Sequence, residues 1–377
     1  MHNRKVKYNS SDSILSSFPS DPLQSSEFRL LRAGSGDAMH HLSLLLLGFI
    51  ISLHLCTFAS STPLPTLTFS CSDSSQPDPL TLIPDRLTIV ISGHSPRRLP
   101  LLRRIILSLS THPSVHSIFV VWSNPSTPLS LLYSSLPLSL PSISLVPLPS
   151  SSLNLRFFPL PPIQTRAVAI SDDDVSVPHR SLSFALSLWQ ASPTSLVGFF
   201  PRSHDLDISR RDWIYTVHPG RFSILLTKFL ILDRDYLWKY SCSENYVKAR
   251  FLVDKERNCE DILMNFVVAM EGGTLPVLVD AGGVRDWGDP RNRIGGNVSE
   301  VALSDDSGEL EGIEVKKVGL SSRGEMHWRK RGECIREFHK LLGKMPLRYS
   351  YGKMMQGVRE QALCQKGGKI VSCDHEE

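Results

Sequence analysis

The stretch Ala167-Val168-Ala169-Ile170-Ser171-Asp172-Asp173-Asp174 decides the fold. Its four apolar residues read as a strand buried on both faces, the kind found inside a parallel sheet. The strand then ends in three consecutive carboxylates. Like charges at that spacing repel, and a strand end has few backbone donors to relieve them. A divalent cation carrying its own anionic ligand would relieve them. A diphosphate is the usual such ligand, because hard cations take carboxylate and phosphate oxygens together. The run therefore points to a nucleotide or nucleotide-sugar site, although alone it reads equally well as a solvated acidic turn.

Upstream, Leu87-Thr88-Ile89-Val90-Ile91 and Ile118-Phe119-Val120-Val121-Trp122 are two more buried strands, and Leu99–Ser110 between them has helical spacing. Asn124-Pro125 ends the second strand. This β-α-β start is the unit of an α/β sheet. A short strand is expected at Ile143–Val146, a helix at Leu182–Ala191 and a strand at Leu196–Phe200. Ile224–Leu232 is a strand or the start of a buried helix. Asp261–Met270 is helical, with Ile262, Phe266 and Ala269 on one face. Residues 295–318 form a Gly-rich acidic loop, and Cys334–Leu342 is a closing helix. The fold class is α/β, one domain over residues 86–355 followed by a tail at 356–377. Its acidic run stands at the carboxyl end of a central strand, where open α/β sheets bind ligands.

The chain has 377 residues, 41% of them apolar, and a formal net charge of +4. It carries no basic block and no aromatic RNA-binding signature, so nucleic acid is excluded as a partner. Residues 1–41 are polar and Ser-rich and read as a disordered cytosolic tail. Residues 42–58, LSLLLLGFIISLHLCTF, suit a membrane-spanning signal-anchor. Arg4, Lys5, Lys7, Arg29 and Arg32 precede it, and no Lys or Arg follows until Arg86. That bias leaves the N-terminus in the cytosol and the domain in the lumen of the Golgi or ER. A start at Met39 would remove those charges and make the run a signal peptide ending at Ala59-Ser60-Ser61. Either way the domain enters the secretory pathway, behind a Pro/Ser-rich stem at 59–85. There are 7 Cys and no CxxC pair, which favours disulfides over zinc without fixing their pairing. Asn297-Val298-Ser299 is an N-glycosylation acceptor.

Polar residues cluster at the expected strand ends. Arg97 and Arg98 follow the first strand, Asn124 the second, and Asn154 and Arg156 precede the Asp strand. They suit a base, ribose and phosphates. Arg202, His204, Trp213, Tyr215 and His218 are candidate acceptor contacts. Asp286-Trp287-Gly288-Asp289 reads as a loop near the site, with no mechanism of its own.

Taken together, Val120–Asn124, Asp172–Asp174, Val197–His204, Asn258–Phe266, His327–Cys334 and Met345–Ser350 resemble glycosyltransferase family 64 in order and spacing. This is the family of the C-terminal domain of exostosin and exostosin-like proteins, and the resemblance is strongest to its plant-type members. It implies a GT-A nucleotide-diphospho-sugar transferase fold and a metal-dependent transferase that retains anomeric configuration. The implied cofactor is Mn²⁺. The implied donor is a nucleotide sugar, UDP-N-acetylhexosamine ahead of GDP-mannose, and the acceptor a glycan or a glycosylated sphingolipid head group. By position Asp174 would be the metal ligand, with Asp172 and Asp173 on ribose, base or sugar. Asn124, Asn154, Arg156 and Arg97 would contact the nucleotide. Asp261 would face the reacting sugar and Arg331 the departing diphosphate. Cys259 and Cys334 would form a disulfide tying the Asp261 helix to an Arg331 loop across the donor. The alternative from another class is an inactive lumenal scaffold. The acidic run, Asp261 and Arg331 argue against it, since a scaffold needs no such costly charges.

Overall fold

Branched apolar runs become the strands of one mixed sheet, and amphipathic stretches cover its two faces. The computed structural model describes Cys71, residues 79–272, 274–289, 325–356, 363–366 and 369–372. The apolar segment 42–58, residues 295–318 and Asn297 lie outside the described residues. Among the described residues no helix is long and apolar enough to cross a membrane.

In chain order, β1 (Ile83–Gly93) leads through a 3-10 turn (Pro96–Arg98) into α1 (Leu99–Ser110) and β2 (Val115–Trp122). Then come α2 (Leu129–Ser135), β3 (Ile143–Pro147), a 3-10 turn (Leu153–Phe157) and β4 (Thr165–Asp172). After β5 (Val175–Ser176), α3 (His179–Ala191) and β6 (Val197–Gly198), the chain forms β7 (Pro201–Asp207) and β8 (Asp212–Thr216). It returns through β9 (Ile224–Leu225), β10 (Phe229–Asp233), α4 (Arg234–Cys242), α5 (Val247–Glu256) and α6 (Glu260–Glu271). It closes with β11 (Val277–Asp280), β12 (Arg285–Asp286), α7 (Glu325–Leu342) and β13 (Lys353–Met355). A hairpin of β14 (Leu363–Lys366) and β15 (Lys369–Ser372) lies in the stretch read as tail.

The main sheet has the order β13-β11-β6-β10-β4-β1-β2-β3. β1 runs parallel to both β2 and β4, while β10 is antiparallel to β4 and β6. Strand side chains alternate between faces. Val90, Val121, Val168, Ile170 and Leu230 join one core with α4, α5, α6 and α7. Ile89, Ile91, Val120, Ala169 and Ile231 join the other with α1, α2 and α3. Burial on both faces explains why these strands read as unbroken apolar runs.

Four expectations change. Ile224–Leu232 is two strands, β9 and β10, separated by Leu226-Thr227-Lys228, and not a helix. The strand expected over Leu196–Phe200 is only Val197–Gly198, because Pro201 starts β7 in a second sheet of order β8-β7-β9. The closing helix begins at Glu325, nine residues before Cys334. The stretch read as stem is partly structured: β1 starts at Ile83, and Cys71 is disulfide-bonded to Cys242 on α4.

Candidate functional site

The parallel strands bring their carboxyl ends to one sheet edge. Register pairs Ser92 with Asp172 and Gly93 with Trp122, so the segments after β1, β2 and β4 open side by side. The 3-10 turn after β1 is set by Ser95 in extended backbone with Pro96 following. It points Arg98 at the acidic run. Arg98 Nη1 donates to Asp173 Oδ1 at 2.6 Å and lies 3.0 Å from Asp174 Oδ2. Arg97 is exposed to solvent. Of the two arginines, Arg98 contacts the acidic run and Arg97 faces solvent.

Arg156 comes from the turn before β4 and is 7% exposed. Its Nη2 donates to Asp172 Oδ1 at 2.7 Å and to the backbone carbonyls of Ser171 and Thr227. Its Nη1 reaches Glu260 Oε1 at 3.5 Å. Asn124 is half-buried, donates to His94 O and accepts from Ser126 N. Asn154 does not face the ligand edge with a free amide. Its Nδ2 donates to Arg250 O at 3.0 Å, and its Oδ1 accepts from Tyr240 at 2.6 Å. Both ends are used to hold the 3-10 turn to α4 and α5, so the expectation for Asn154 is corrected to a structural role.

The second half of the site is built at the start of α6. Arg257 and Cys259 both adopt left-handed backbone, at φ 49° and φ 74°. Such conformations are costly for non-glycine residues and persist only where the surroundings hold them. Here Cys259 is bonded to Cys334 on α7, and Asn258 Oδ1 accepts from Cys259 N. The sharp entry places Glu260 and Asp261 in the first helical turn, where the exposed amide dipoles favour carboxylates. Arg331 Nη2 donates to Asp261 Oδ2 at 2.6 Å and Arg331 Nη1 to Asn258 Oδ1 at 3.1 Å. Its guanidinium also stacks 4.5 Å from the Tyr215 ring. The expected bridge Cys259–Cys334 is present, but Arg331 lies on a helix, not a loop. It contacts Asp261 directly rather than from across a gap. The reason is register: Arg331 and Cys334 are three residues apart, so one face of α7 presents both to α6. Gly332 lets that helix close on β8, since a Cβ there would come within 3.2 Å of Trp213 O.

The candidate acceptor residues separate. Tyr215 touches Arg331. His204 is 4% exposed, hydrogen-bonded to Ser223 at 2.7 Å and stacked on Tyr349. Burial pushes its imidazole down to about 4, as befits a core histidine. Trp213 donates to His339 on α7, His218 pairs with Asp205, and Arg202 donates to its neighbour's carbonyl.

Burial, with Asp172, Asp173 and Asp286 nearby, pushes Asp174 up to about 7 against the opposing pull of Arg98. Burial and the neighbouring Asp261 push Glu260 up to about 7 as well. Glu260 Oε2 is buried without a hydrogen-bond partner. Arg98 and Arg156 face the three carboxylates of the run, whose donors are all oxygen, and the uncompensated charge fits a hard cation. Among the described residues no three acidic, His or Cys side chains converge on one point. Such a cation would be held through one or two carboxylates, completed by substrate phosphates. Sequence reasoning gave no role to Glu260 or Lys228 and placed Asp286 only in a loop near the site; the fold brings all three to this edge. The signal for Glu260 was its place between Cys259 and Asp261.

Comparison with known proteins follows the same residues. A model of the Glycosyl transferase family 64 domain matches residues 87–358. The chain is 47% identical over 335 residues to Glycosyltransferase family protein 64 C3 of Arabidopsis thaliana, covering 87% of this chain and 95% of that one. It is 29% identical over 258 residues to Glucosamine inositolphosphorylceramide transferase 1 of Arabidopsis thaliana, covering 68% of this chain and 30% of that one. It is also 29% identical over 279 residues to Exostosin-like 2 of Mus musculus, covering 71% and 75%.

Proposed function

Because the chain belongs to glycosyl transferase family 64, we propose that it is a metal-dependent, retaining glycosyltransferase of GT-A type. Its donor is a nucleotide sugar bound at the edge formed by β1, β2 and β4. The observation that carries this reading is a row of paired charges, buried except at Asp172 and Arg98, which are partly exposed. Arg98 meets Asp173 and Asp174, Arg156 joins Asp172 to Glu260, and Arg331 holds Asp261. One end suits a diphosphate and the other a reacting sugar.

In this reading Asp174 holds Mn²⁺, and Asp172, Asp173, Asn124 and Arg156 hold the nucleotide. When bound, the cation would neutralise charge on the diphosphate. Asp261 stabilises positive character at the anomeric carbon as the glycosidic phosphate bond breaks. Arg331 donates hydrogen bonds toward the negative charge that develops on the leaving group. The Tyr215 ring, 4.5 Å from that guanidinium, packs against it. The acceptor is a glycan or a glycosylated sphingolipid head group. The similarity to a glucosamine inositolphosphorylceramide transferase supports the latter, together with an amino-sugar donor. The proposed donor is UDP-N-acetylhexosamine ahead of GDP-mannose. Two disulfides favour folding in the oxidising lumen of the ER or Golgi, behind an N-terminal anchor.

The test is binding of UDP and of GDP to the purified chain, with and without Mn²⁺, followed by thermal shift. Mn²⁺-dependent stabilisation by one nucleotide, lost in Asp174→Ala, is the expected result and selects the donor class. Folded protein that responds to neither nucleotide would instead support the scaffold reading.

A further inference from the structure

The loop Asp286-Trp287-Gly288-Asp289 is seated directly beneath Asp174. β12 pairs antiparallel with β5, setting Asp286 opposite Val175. Trp287 N donates to Asp174 O at 2.8 Å, and Trp287 Nε1 to Ser176 Oγ at 3.1 Å. The loop is therefore fixed to the residue before β5 by its backbone. Asp286 is 6% exposed and fully occupied: Oδ1 accepts from Gly288 N at 2.9 Å, and Oδ2 pairs with Lys228. Lys228 is itself anchored to the acidic run, since its carbonyl accepts from Asp172 N at 3.0 Å. A fourth carboxylate beside Asp174 would otherwise add to the repulsion there, and Lys228 neutralises it.

Gly288 completes the arrangement. A Cβ at this position would lie 2.4 Å from Asp174 Oδ2 and 3.1 Å from Asp286 Oδ1. Asp174 Oδ2 is the same atom that faces Arg98 at 3.0 Å. Any side chain at 288 must therefore turn the Asp174 carboxylate. That movement is about a terminal torsion, which is soft, so the backbone has no need to move.

We infer that Lys228, Asp286 and Gly288 are positioning residues that set the orientation of the Asp174 carboxylate for the donor's cation. This rests on the donor-site reading above. Asp286 acts through hydrogen bonds and space, not as a ligand, because Oδ1 is engaged by Gly288 within the loop and Oδ2 by Lys228 outside it.

The experiment titrates Mn²⁺ against the full chain in the presence of saturating UDP or GDP, read by thermal shift and calorimetry. For Gly288→Ala the Mn²⁺ concentration giving half-maximal stabilisation should rise about 10–100-fold, the range for partners that orient a metal ligand. The ligand-free melting temperature should stay within about 3 °C of the native chain. Lys228→Met should shift the Mn²⁺ requirement in the same direction, and Lys228→Arg should restore it. If Gly288→Ala does not fold, the two Lys228 variants decide. Native Mn²⁺ dependence in Gly288→Ala and Lys228→Met would overturn the inference alone. Absence of any Mn²⁺-dependent response in the native chain would overturn the donor-site reading and this inference with it.

Discussion

Arg331 shows how much one side chain can be asked to hold. It meets Asp261, Asn258 and the Tyr215 face at once. Arg331→Ala would leave Asp261 buried and unpaired, which costs about 3–5 kcal/mol. Urea unfolding should show that loss, and transfer should fall about 10²–10³-fold through the missing donor at the leaving group. Arg331→Lys should not rescue either readout, because an ammonium cannot fork to two acceptors and lie flat on a ring. Glu260 gives a pH prediction. Its carboxyl titrates near 7 in the fold against an ordinary 4.5, so the folded protein holds the extra proton. That contribution is fully present below 4.5 and is lost as pH rises through about 7. Glu260→Gln should therefore match the native melting temperature at low pH and exceed it above pH 7, measured without ligand. The placement of Asp174 just past the carboxyl end of a buried strand and of Asp261 in a first helical turn was legible in the sequence. The choice between Arg97 and Arg98 was not, because the phase of a single 3-10 turn decides it. Asn154 misled for a different reason: its amide is consumed by Tyr240 and Arg250, partners 86 and 96 residues away.

Among the elements, α6 was legible because its apolar residues recur at helical spacing from a carboxylate-rich first turn. The N-terminal half of α7 was not, since MHWRKR carries no apolar stripe of its own. Tertiary contacts stabilise it: Trp328 lies 5.2 Å from Tyr215, and Lys330 pairs with Glu256. α4 and α5 were missed because their sequences are polar and aromatic, and their burial comes from packing on β4 and α6. The α6–α7 pair depends on its disulfide. Replacing both Cys259 and Cys334 by Ala should cost about 2–5 kcal/mol in denaturant unfolding. The larger consequence is local, because the left-handed Cys259 would lose the bond that holds it. Amide exchange at Glu260–Leu263 should accelerate more than exchange in β1 or β4, as a destabilised helix entry opens locally.

Over the whole molecule, the sheet edge assembles from segments that are far apart in sequence. The parallel register of β1, β2 and β4 does this, and apolar runs made it readable from the start. The link between Cys71 and Cys242 was not readable, since seven cysteines allow many pairings and nothing near Cys71 marks its partner. Peptide mapping without reductant should recover Cys71–Cys242 and Cys259–Cys334 as linked pairs. A chain begun after Cys71 should expose Cys242 to thiol labelling. The bond has a mechanical meaning as well. It closes a covalent ring of chain, 171 residues in sequence separation, that contains β1 through β10. A pull on the N-terminal segment therefore arrives at α4, on the surface of the domain, and bypasses β1 at the centre of the sheet. Load would be borne by one sulfur–sulfur bond and a helix, leaving β1, the strand that leads into the Arg98 turn, slack. Stretched from its N-terminus in a force spectrometer, the oxidised protein should yield with the ring still closed. Under reductant the same pull should peel β1 from the sheet.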